Sequence, residues 1–270
     1  MTIYVIAHKM FDYDLPKGYQ PLLVGAEFNA NQRGYQVDNT GENISSQNKE
    51  FNELTGLYWM WKNTSDEYIG LSHYRRYFSP HSFGRRIGGR NAMYLWLLLV
   101  GKTRPAAEKE LQGMLSQHEW VVAYPEDDAK GKETLKEQYV RGHYEVDLKH
   151  TREAIEKLYP EYLSAFDRTM DGPAVMAPYN MFYTRRQQMD RYCQWLFDIL
   201  FEVQKHTDMT NYDTYQRRLY GFLAERLLNV YLNYHQEFKV KYLTVFNTGD
   251  LTRRAVIRHL TNRLGITDKN

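Results

Sequence analysis

The chain has 270 residues, 43% of them hydrophobic, which is enough for one large domain or two small ones with a packed core. Its 35 basic and 33 acidic residues leave a formal charge of +2, so no global field draws the protein onto nucleic acid. The single cysteine, Cys193, excludes a disulfide framework and a cysteine-rich zinc site, and fits a reducing compartment such as the cytoplasm.

Short apolar runs bounded by turn residues predict buried strands along the first half of the chain. These runs lie at residues 3–7, 21–25, 68–71 and 120–124. The first run follows no basic leader and no small-residue cleavage pattern, so we expect a mature strand there and no signal peptide. Apolar residues three and four apart, after a serine N-cap, predict a helix over residues 45–61, and another helix is predicted near residues 106–116.

The second half of the chain is predicted to be more helical. Residues 133–162 are mainly helical in pattern, and residues 174–177 and 180–183 predict two strand pieces broken by Pro178. Apolar stripes predict two long helices, through Cys193 and through Leu227, before a strand at residues 239–246 and a basic helix near residues 252–263. This order predicts a single α/β domain over residues 1–270, with a mixed, mostly parallel sheet, helices on both faces and a helical C-terminal part.

Polar residues follow three of the predicted strands, which is where ligands bind in such folds. His8 and Lys9 follow the first strand, and an acidic stretch at residues 126–128 follows the fourth. The third strand ends in the consecutive residues His73, Tyr74, Arg75 and Arg76. A guanidinium holds two phosphate oxygens at once and stays charged, so paired arginines suit a diphosphate. The alternative is that one arginine pairs with an acid and the other faces solvent.

A polar loop, DNTGENIS, runs over residues 38–45 into the first predicted helix. Gly41 permits a tight turn, and the polar side chains could bond a ribose or a uracil edge beside the free N–H groups of the helix. An ordinary capped loop of Asx turns explains the spacing equally well. Neither GxGxxG nor GxxxxGK[ST] occurs, so the loop is not a phosphate loop.

Two acidic stretches raise the question of a divalent metal. Asp12-Tyr13-Asp14 has the D-x-D pattern that many enzymes use to hold a metal against a diphosphate. The other stretch, past a strand end, consists of Glu126, Asp127 and Asp128. Because oxygen ligands must converge from several segments, we predict no metal and no other cofactor, with a metal at either stretch as the alternative.

Two positions could supply a general base. His143 and Asp147 are four residues apart, so on a helix they would share a face and the carboxylate could orient the imidazole. A structural hydrogen bond is the alternative. Glu225 lies in an apolar helix, where burial would raise its pKa, although it could instead pair with Arg218 or Arg226. No GxSxG, HExxH or Cys–His arrangement appears, so hydrolase classes lack support.

An apolar run, AMYLWLLLV at residues 92–100, lies among basic residues. Those basic residues are Arg85, Arg86, Arg90, Lys102 and Arg104. The run is too short to cross a bilayer, which needs about twenty residues, but it could dip into the surface while the arginines meet anionic headgroups. Burial as a core helix is the alternative. Residues 85–104 are therefore a candidate insertion for membrane contact.

Several long strings of this sequence resemble one family. They are IYVIAHK, PLLVGA, DNTGENIS, IGLSHYRRYF, QYVRGHYEVDL, NMFYTRRQQMDRYCQWLFDILFEVQ and GFLAERLLNVYL. In this order they are similar to the bacterial capsular and exopolysaccharide glycosyltransferases long catalogued as a domain of unknown function, some of which are assigned as galactofuranosyltransferases. The resemblance spans residues 3–234. It implies a GT-A-like fold, a UDP-linked sugar donor and a growing lipid-linked oligosaccharide as acceptor. The expected location is the cytoplasm, and contact through residues 85–104 would place the protein peripherally on the cytoplasmic face of the inner membrane.

The resemblance also implies roles for individual residues. The nucleotide would be contacted by Ala7, His8, Lys9, Asp38, Asn39, Gly41, Asn43 and Ile44. Residues 73–76 would stand where other GT-A enzymes carry metal-binding acids, so that basic groups take the place of the metal. The candidates for acceptor binding or base are His143, Asp147, Asn180 and Glu225. The expected reaction is inverting, metal-independent transfer of a hexosyl group. Its rivals are a metal-dependent transferase using residues 126–128 and a non-catalytic factor that binds nucleotide sugars.

Overall fold

A mixed β-sheet organises the chain in the computed structural model, which describes residues 1–80, 90–100, 103–127, 131–252 and 257. The strands of these residues are β1 (Thr2–Ala7), β2 (Tyr19–Leu23), β3 (Gln36–Val37), β4 (Tyr68–His73), β5 (Arg76–Phe78), β6 (Trp120–Ala123), β7 (Glu126–Asp127), β8 (Val175–Met176), β9 (Phe182–Arg185), β10 (Val240–Leu243) and β11 (Val245–Asn247). The helices are α1 (Asn48–Phe51), α2 (Leu54–Asn63), α3 (Arg90–Val100), α4 (Glu108–Met114), α5 (Leu135–Val140), α6 (Glu145–Leu158), α7 (Leu163–Asp171), α8 (Arg186–His206) and α9 (Leu219–Tyr234).

The direction of the strands brings several loops to one edge of the sheet. The strand order is β10-β6-β9-β4-β1-β2-β3, in which neighbouring strands are parallel except at β9, which is antiparallel to both β4 and β6. The amino end of β9 therefore lies at the same edge as the carboxyl ends of β1, β4 and β6. The segment that precedes β9 meets the residues that follow those three strands.

Both faces of the sheet are buried, and the side chains alternate between two cores. Tyr4 and Ile6 belong to the larger core, whereas Ile3 and Val5 on the same strand belong to the smaller one. Residues of α2 and α6 to α9 cover the larger core, while α3, α4 and β11 cover the smaller one. This two-sided burial explains why the strands are short continuous apolar runs, and it confirms the prediction of helices on both faces.

Several predicted elements differ from the observed ones. The second strand begins two residues earlier than expected, and β9 replaces the predicted strand at residues 180–183. The predicted strand at residues 239–246 divides into β10, which pairs with β6, and β11, which pairs with β5. The basic helix predicted near residues 252–263 lies almost entirely outside the described residues.

The helix predicted over residues 45–61 is broken in the middle. A short 3₁₀ turn at Ser45–Gln47 leads into α1, and α2 begins only at Leu54. Between them Asn52 adopts a φ of 49° with a ψ of −122°, a conformation that residues with a side chain rarely adopt. The apolar stripe survives the break, since Phe51 and Leu54 are both fully buried.

Helix α3 has one buried and one exposed apolar face. Met93, Tyr94 and Leu97 pack into the smaller core. On the other side Leu95 is 53% and Leu99 is 85% exposed. The alternative prediction for residues 92–100, burial as a core helix, is therefore correct for only one face of α3. Among the described residues, no helix combines the length and the apolarity needed to cross a membrane.

Candidate functional site

A cleft of about 960 Å³ opens at the edge of the sheet where the strand ends meet. Six of the predicted site residues line it, namely His8, His73, Tyr74, Arg75, Arg76 and Glu225. They come from three separate parts of the chain: the end of β1, the β4–β5 connection and α9. The volume lies near the upper end of the ~300–1,000 Å³ range of small-molecule sites, which suits a ligand larger than a single sugar.

The two arginines of the β4–β5 connection place positive charge in the cleft. Tyr74 and Arg75 form the turn, and Arg76 is the first residue of β5, so the strand does not simply end in a loop as expected. The guanidinium of Arg76 lies 4.4 Å from the ring centroid of Tyr179. Within the part of the chain that the structure describes, neither arginine forms an ion pair with a carboxylate. Both guanidinium groups are therefore available to an anion.

His73 is a neutral member of this cluster. Its Nε2 lies 2.7 Å from the backbone oxygen of Tyr179, and because a carbonyl oxygen only accepts, Nε2 must carry the hydrogen. Burial, with smaller contributions from the nearby arginines, lowers the pKa of His73 to about 4. Within residues 73–76 the positive charge therefore comes from the two arginines, while His73 holds the turn before β9.

That turn is conformationally strained and clamped from several sides. Tyr179 and Asn180 have φ angles of 78° and 51°, which residues with a side chain rarely adopt. The N–H of Tyr179 donates to Glu225 over 2.9 Å. The side-chain amide of Asn180 donates to Glu53 over 2.7 Å and to the backbone oxygen of Gly221 over 3.2 Å. Asn180 is 2% exposed and does not itself line the cleft; it positions the tyrosine that does.

Glu225 is the acidic group of the cleft. Besides the Tyr179 N–H, its carboxylate has Arg226 at 3.5 Å, so the predicted pairing with Arg226 is present. Burial nevertheless raises the pKa of Glu225 above its ordinary value, and this effect is larger than the opposing effect of Arg226. A carboxylate with a raised pKa inside a cleft has the properties of a general base.

A second pair of arginines, neither of which the sequence analysis assigned to the ligand site, also lines the cleft. Arg217 and Arg218 line it just before α9. Arg218 donates from Nε to the side-chain oxygen of Asn52 over 3.1 Å, and Arg217 lies 3.9 Å from Glu50. The break between α1 and α2 places Asn52 and neighbouring polar groups in the lining of the cleft, beside Arg218. The repeated Arg-Arg dipeptide at a helix start was the signal in the sequence.

The polar loop at residues 38–45 serves the fold first. Asp38 is fully buried, and its carboxylate accepts from the backbone N–H groups of Gly25 and Ala26 and from the hydroxyls of Ser45 and Thr55. Gly41 has a φ of 56°, as its predicted turn requires. The residues of this loop do not line the cleft. Nucleotide contacts by Asp38, Asn39, Gly41, Asn43 and Ile44 therefore stay predictions.

The remaining nucleotide candidates differ in their exposure. Ala7 is buried in β1, where its carbonyl oxygen accepts from the N–H of Val24. Lys9 is exposed, with its ammonium 5.7 Å from the ring centroid of Tyr74. Neither side chain lines the cleft, whereas the neighbouring His8 does.

The predicted His143–Asp147 pair does not exist. His143 lies in the bend before α6, which begins at residue 145, so the two residues do not share a helix face. Asp147 accepts instead from the hydroxyls of Tyr139 and Tyr212. His143 lines a smaller chamber of about 380 Å³, which shares Tyr179, Phe222 and Glu225 with the large cleft. Asp147 lines neither space.

The acidic stretches do not converge in the described residues. Asp12 is fully exposed and lies 3.7 Å from Arg33, while the ring of Tyr13 stacks on Tyr77. Glu126 accepts from the hydroxyl of Tyr179 over 3.1 Å, and Asp128 lies outside the described residues. Over the same described ranges, no three His, Cys, Asp or Glu side chains are grouped to hold a metal ion. Metal independence stays a prediction.

Comparisons with known proteins agree with this architecture. The family described as "Domain of unknown function (DUF4422)" matches residues 2–237. A solved structure that resembles the chain is the apo form of WbbM, described as a bifunctional glycosyltransferase, at 30% sequence identity and a TM-score of 0.77. The match covers 90% of this chain and 44% of that one, so the chain spans less than half of WbbM. No curated protein matches the sequence. The likeness confirms the GT-A-like α/β fold, and the length of the family match shows that the chain belongs to the DUF4422 family.

Proposed function

We propose that the protein is a glycosyltransferase that moves a hexosyl group from a UDP-sugar to a lipid-linked oligosaccharide in the synthesis of a surface polysaccharide. The proposal is carried by two features of one cleft: two guanidinium groups that form no ion pair with any described carboxylate, and a glutamate with a raised pKa. The structural likeness to WbbM supports the class of reaction. Because some members of the family that the sequence resembles are assigned as galactofuranosyltransferases, UDP-galactofuranose is the first donor to test.

The arginines take the place of a metal ion in this proposal. When the bond between the sugar and the diphosphate breaks, negative charge builds up on the leaving UDP and must be neutralised. Arg75 and Arg76 provide fixed positive charge at the end of β4, and Arg218, which also lines the cleft, adds a third guanidinium. Because arginine stays protonated at any working pH, this stabilisation needs no bound ion.

Glu225 acts as the general base in an inverting displacement. Its carboxylate takes the proton from an acceptor hydroxyl, the oxygen attacks the anomeric carbon, and UDP leaves from the opposite side. Proton transfer by a positioned group accelerates such steps by about 10²–10⁴. Burial raises the pKa of Glu225, which makes the carboxylate a stronger proton acceptor than an exposed glutamate.

A lipid-linked acceptor would bring the protein to the cytoplasmic face of the membrane, and α3 is the surface proposed to touch it. The exposed face of α3 carries Leu95, Leu99 and Val100, each at least half exposed. The sequence from residue 79 to residue 107 has five arginines or lysines and no acidic residue. Apolar side chains flanked by positive charge favour an anionic lipid surface. Cosedimentation with phosphatidylglycerol vesicles, lost in Leu99→Asp, is the expected result.

Release of UDP from a panel of UDP-hexoses, measured with and without EDTA, tests the reaction itself. The proposal predicts UDP release that survives EDTA and falls strongly in Arg76→Ala. An absolute need for a divalent metal would overturn the assignment of the arginines. Donor binding without any transfer or donor hydrolysis would favour the rival, a non-catalytic factor that binds nucleotide sugars.

A further inference from the structure

A second chamber adjoins the cleft, and none of the arginines proposed to bind the donor lines it. It has a volume of about 380 Å³ and lies on the far side of Tyr179, Phe222 and Glu225, the three residues that it shares with the cleft. Its volume lies near the lower end of the ~300–1,000 Å³ range of small-molecule sites, which fits one or two sugar rings and not a nucleotide sugar.

Three rings form one wall of this chamber. The centroid of His143 lies 4.1 Å from that of Phe222 and 5.8 Å from that of Tyr215, whose ring is nearly parallel to it. Tyr215 is 53% exposed, which is unusual for a ring packed against two others. An exposed ring with a hydroxyl at its edge offers an apolar face to the C–H groups of a sugar and a hydrogen bond at the rim.

His143 is held in one orientation and offers an acceptor. The side-chain N–H of Gln216 donates to the backbone oxygen of Gly142 over 2.7 Å. This bond fixes the side-chain oxygen of Gln216 toward His143. That oxygen lies 3.0 Å from Nδ1 of His143, so Nδ1 carries the hydrogen. Burial lowers the pKa of His143, which keeps the ring neutral. Nε2 therefore keeps its lone pair and can accept a hydrogen bond from a sugar hydroxyl.

Polar groups occupy the other sides of the chamber. Glu126 and Gln138 line it, and Glu225 lies where it opens to the cleft. Carboxylate and amide groups around an aromatic platform are the partners that sugar hydroxyls need, because each hydroxyl both donates and accepts.

We propose that this chamber binds the terminal hexose ring of the acceptor glycan, stacked on Tyr215 and Phe222, with one hydroxyl directed through the opening to Glu225. The inference rests on the proposed function, since it makes Glu225 the point where acceptor and donor meet. It assigns Tyr215 and His143 to acceptor recognition and separates them from the arginines, which hold the donor.

Saturation-transfer NMR with methyl glucopyranoside, methyl galactopyranoside and methyl mannopyranoside tests the chamber directly, in the presence and absence of UDP. We expect at least one glycoside to bind the wild-type protein, and Tyr215→Ala to weaken it by about fivefold, the scale of one aromatic contact. Tyr215→Phe keeps the ring and loses the hydroxyl, so its affinity should lie between those of the wild type and Tyr215→Ala. Tyr242→Ala, which removes an exposed tyrosine that lines neither space, is the matched control. The UDP affinity of Tyr215→Ala shows whether the variant is folded.

The outcomes separate this inference from the proposed function. If no glycoside binds the wild-type protein, or if Tyr215→Ala binds it as well as the control does, the chamber is not an acceptor site. If Tyr215→Ala weakens UDP binding and leaves glycoside binding unchanged, the chamber belongs to the donor and the inference is again overturned. Failure of UDP to bind the wild-type protein would refute the donor chemistry, while glycoside binding would still decide the role of the chamber.

Discussion

Replacement of Arg76 by alanine should weaken UDP binding strongly while leaving the fold nearly intact. Within the described residues the guanidinium of Arg76 forms no ion pair. It lies over the ring of Tyr179, 4.4 Å from the ring centroid. Loss of that contact costs about 0.5–1 kcal/mol of stability. A charge-assisted hydrogen bond to phosphate contributes about 1.5–3 kcal/mol, which corresponds to roughly a 10- to 150-fold change in Kd.

Calorimetric titration of UDP and UMP into the wild-type protein, Arg76→Ala and Arg76→Lys would measure this effect. Because the arginine is assigned to the diphosphate, the variant should lose more affinity for UDP than for UMP. Lysine keeps the charge without the two-pronged geometry, so Arg76→Lys should fall between the other two. Arg191→Ala, which removes a positive charge from an exposed site outside the cleft, is the matched control. UDP affinities within about threefold of wild type for both Arg75→Ala and Arg76→Ala would refute the reasoning.

The other predictions concern the base, the neutral histidine and the buried loop. Glu225→Gln should keep UDP affinity and lower the transfer rate by about 10²–10⁴, and the wild-type rate should fall as the pH drops through the raised pKa of Glu225, a limb absent from the variant's profile. The unfolded chain protonates His73 near pH 6.5 and the folded chain only near 4, so the free energy of unfolding should fall by up to about 3 kcal/mol as the pH drops through that window. His73→Gln keeps the donor to Tyr179 and should reduce this slope in chemical denaturation, with the remainder coming from His8 and His143, whose pKa values burial also lowers. Asp38→Ala strands four donors and should lower the free energy of unfolding by about 3 kcal/mol or more, and a loss below about 1 kcal/mol would contradict the structural role of that carboxylate.

The sheet was largely predictable because its strands are buried on both faces. In continuous apolar runs such as IYVIA and WVVA both faces of the strand are apolar, so the strand is fully buried only between two layers of packed side chains. The strands β1 and β6 lie between the two cores. Element breaks were harder to predict. The bend at Asn52 and the division between β10 and β11 depend on what each segment packs against, and periodicity does not contain that information.

The site was predictable where it follows a strand and not where it depends on a turn. The strand-end rule brought His8 and Arg76 to the cleft because parallel strands end at one edge. Tyr179 was missed, since only the antiparallel direction of β9 places the preceding turn at that same edge. The His143–Asp147 pair failed because its spacing has meaning only within a helix, and α6 begins after His143. Helix geometry must be established before side-chain pairs are inferred from spacing.

A crystal structure of the protein with bound UDP, grown without divalent metal, tests the central claim most directly. We expect oxygens of the diphosphate to lie about 2.7–2.9 Å from the guanidinium nitrogens of Arg75 and Arg76, at the end of β4. A diphosphate bound away from both arginines, or ordered only when a metal ion bridges it to carboxylates, would contradict the claim that these two side chains replace the metal.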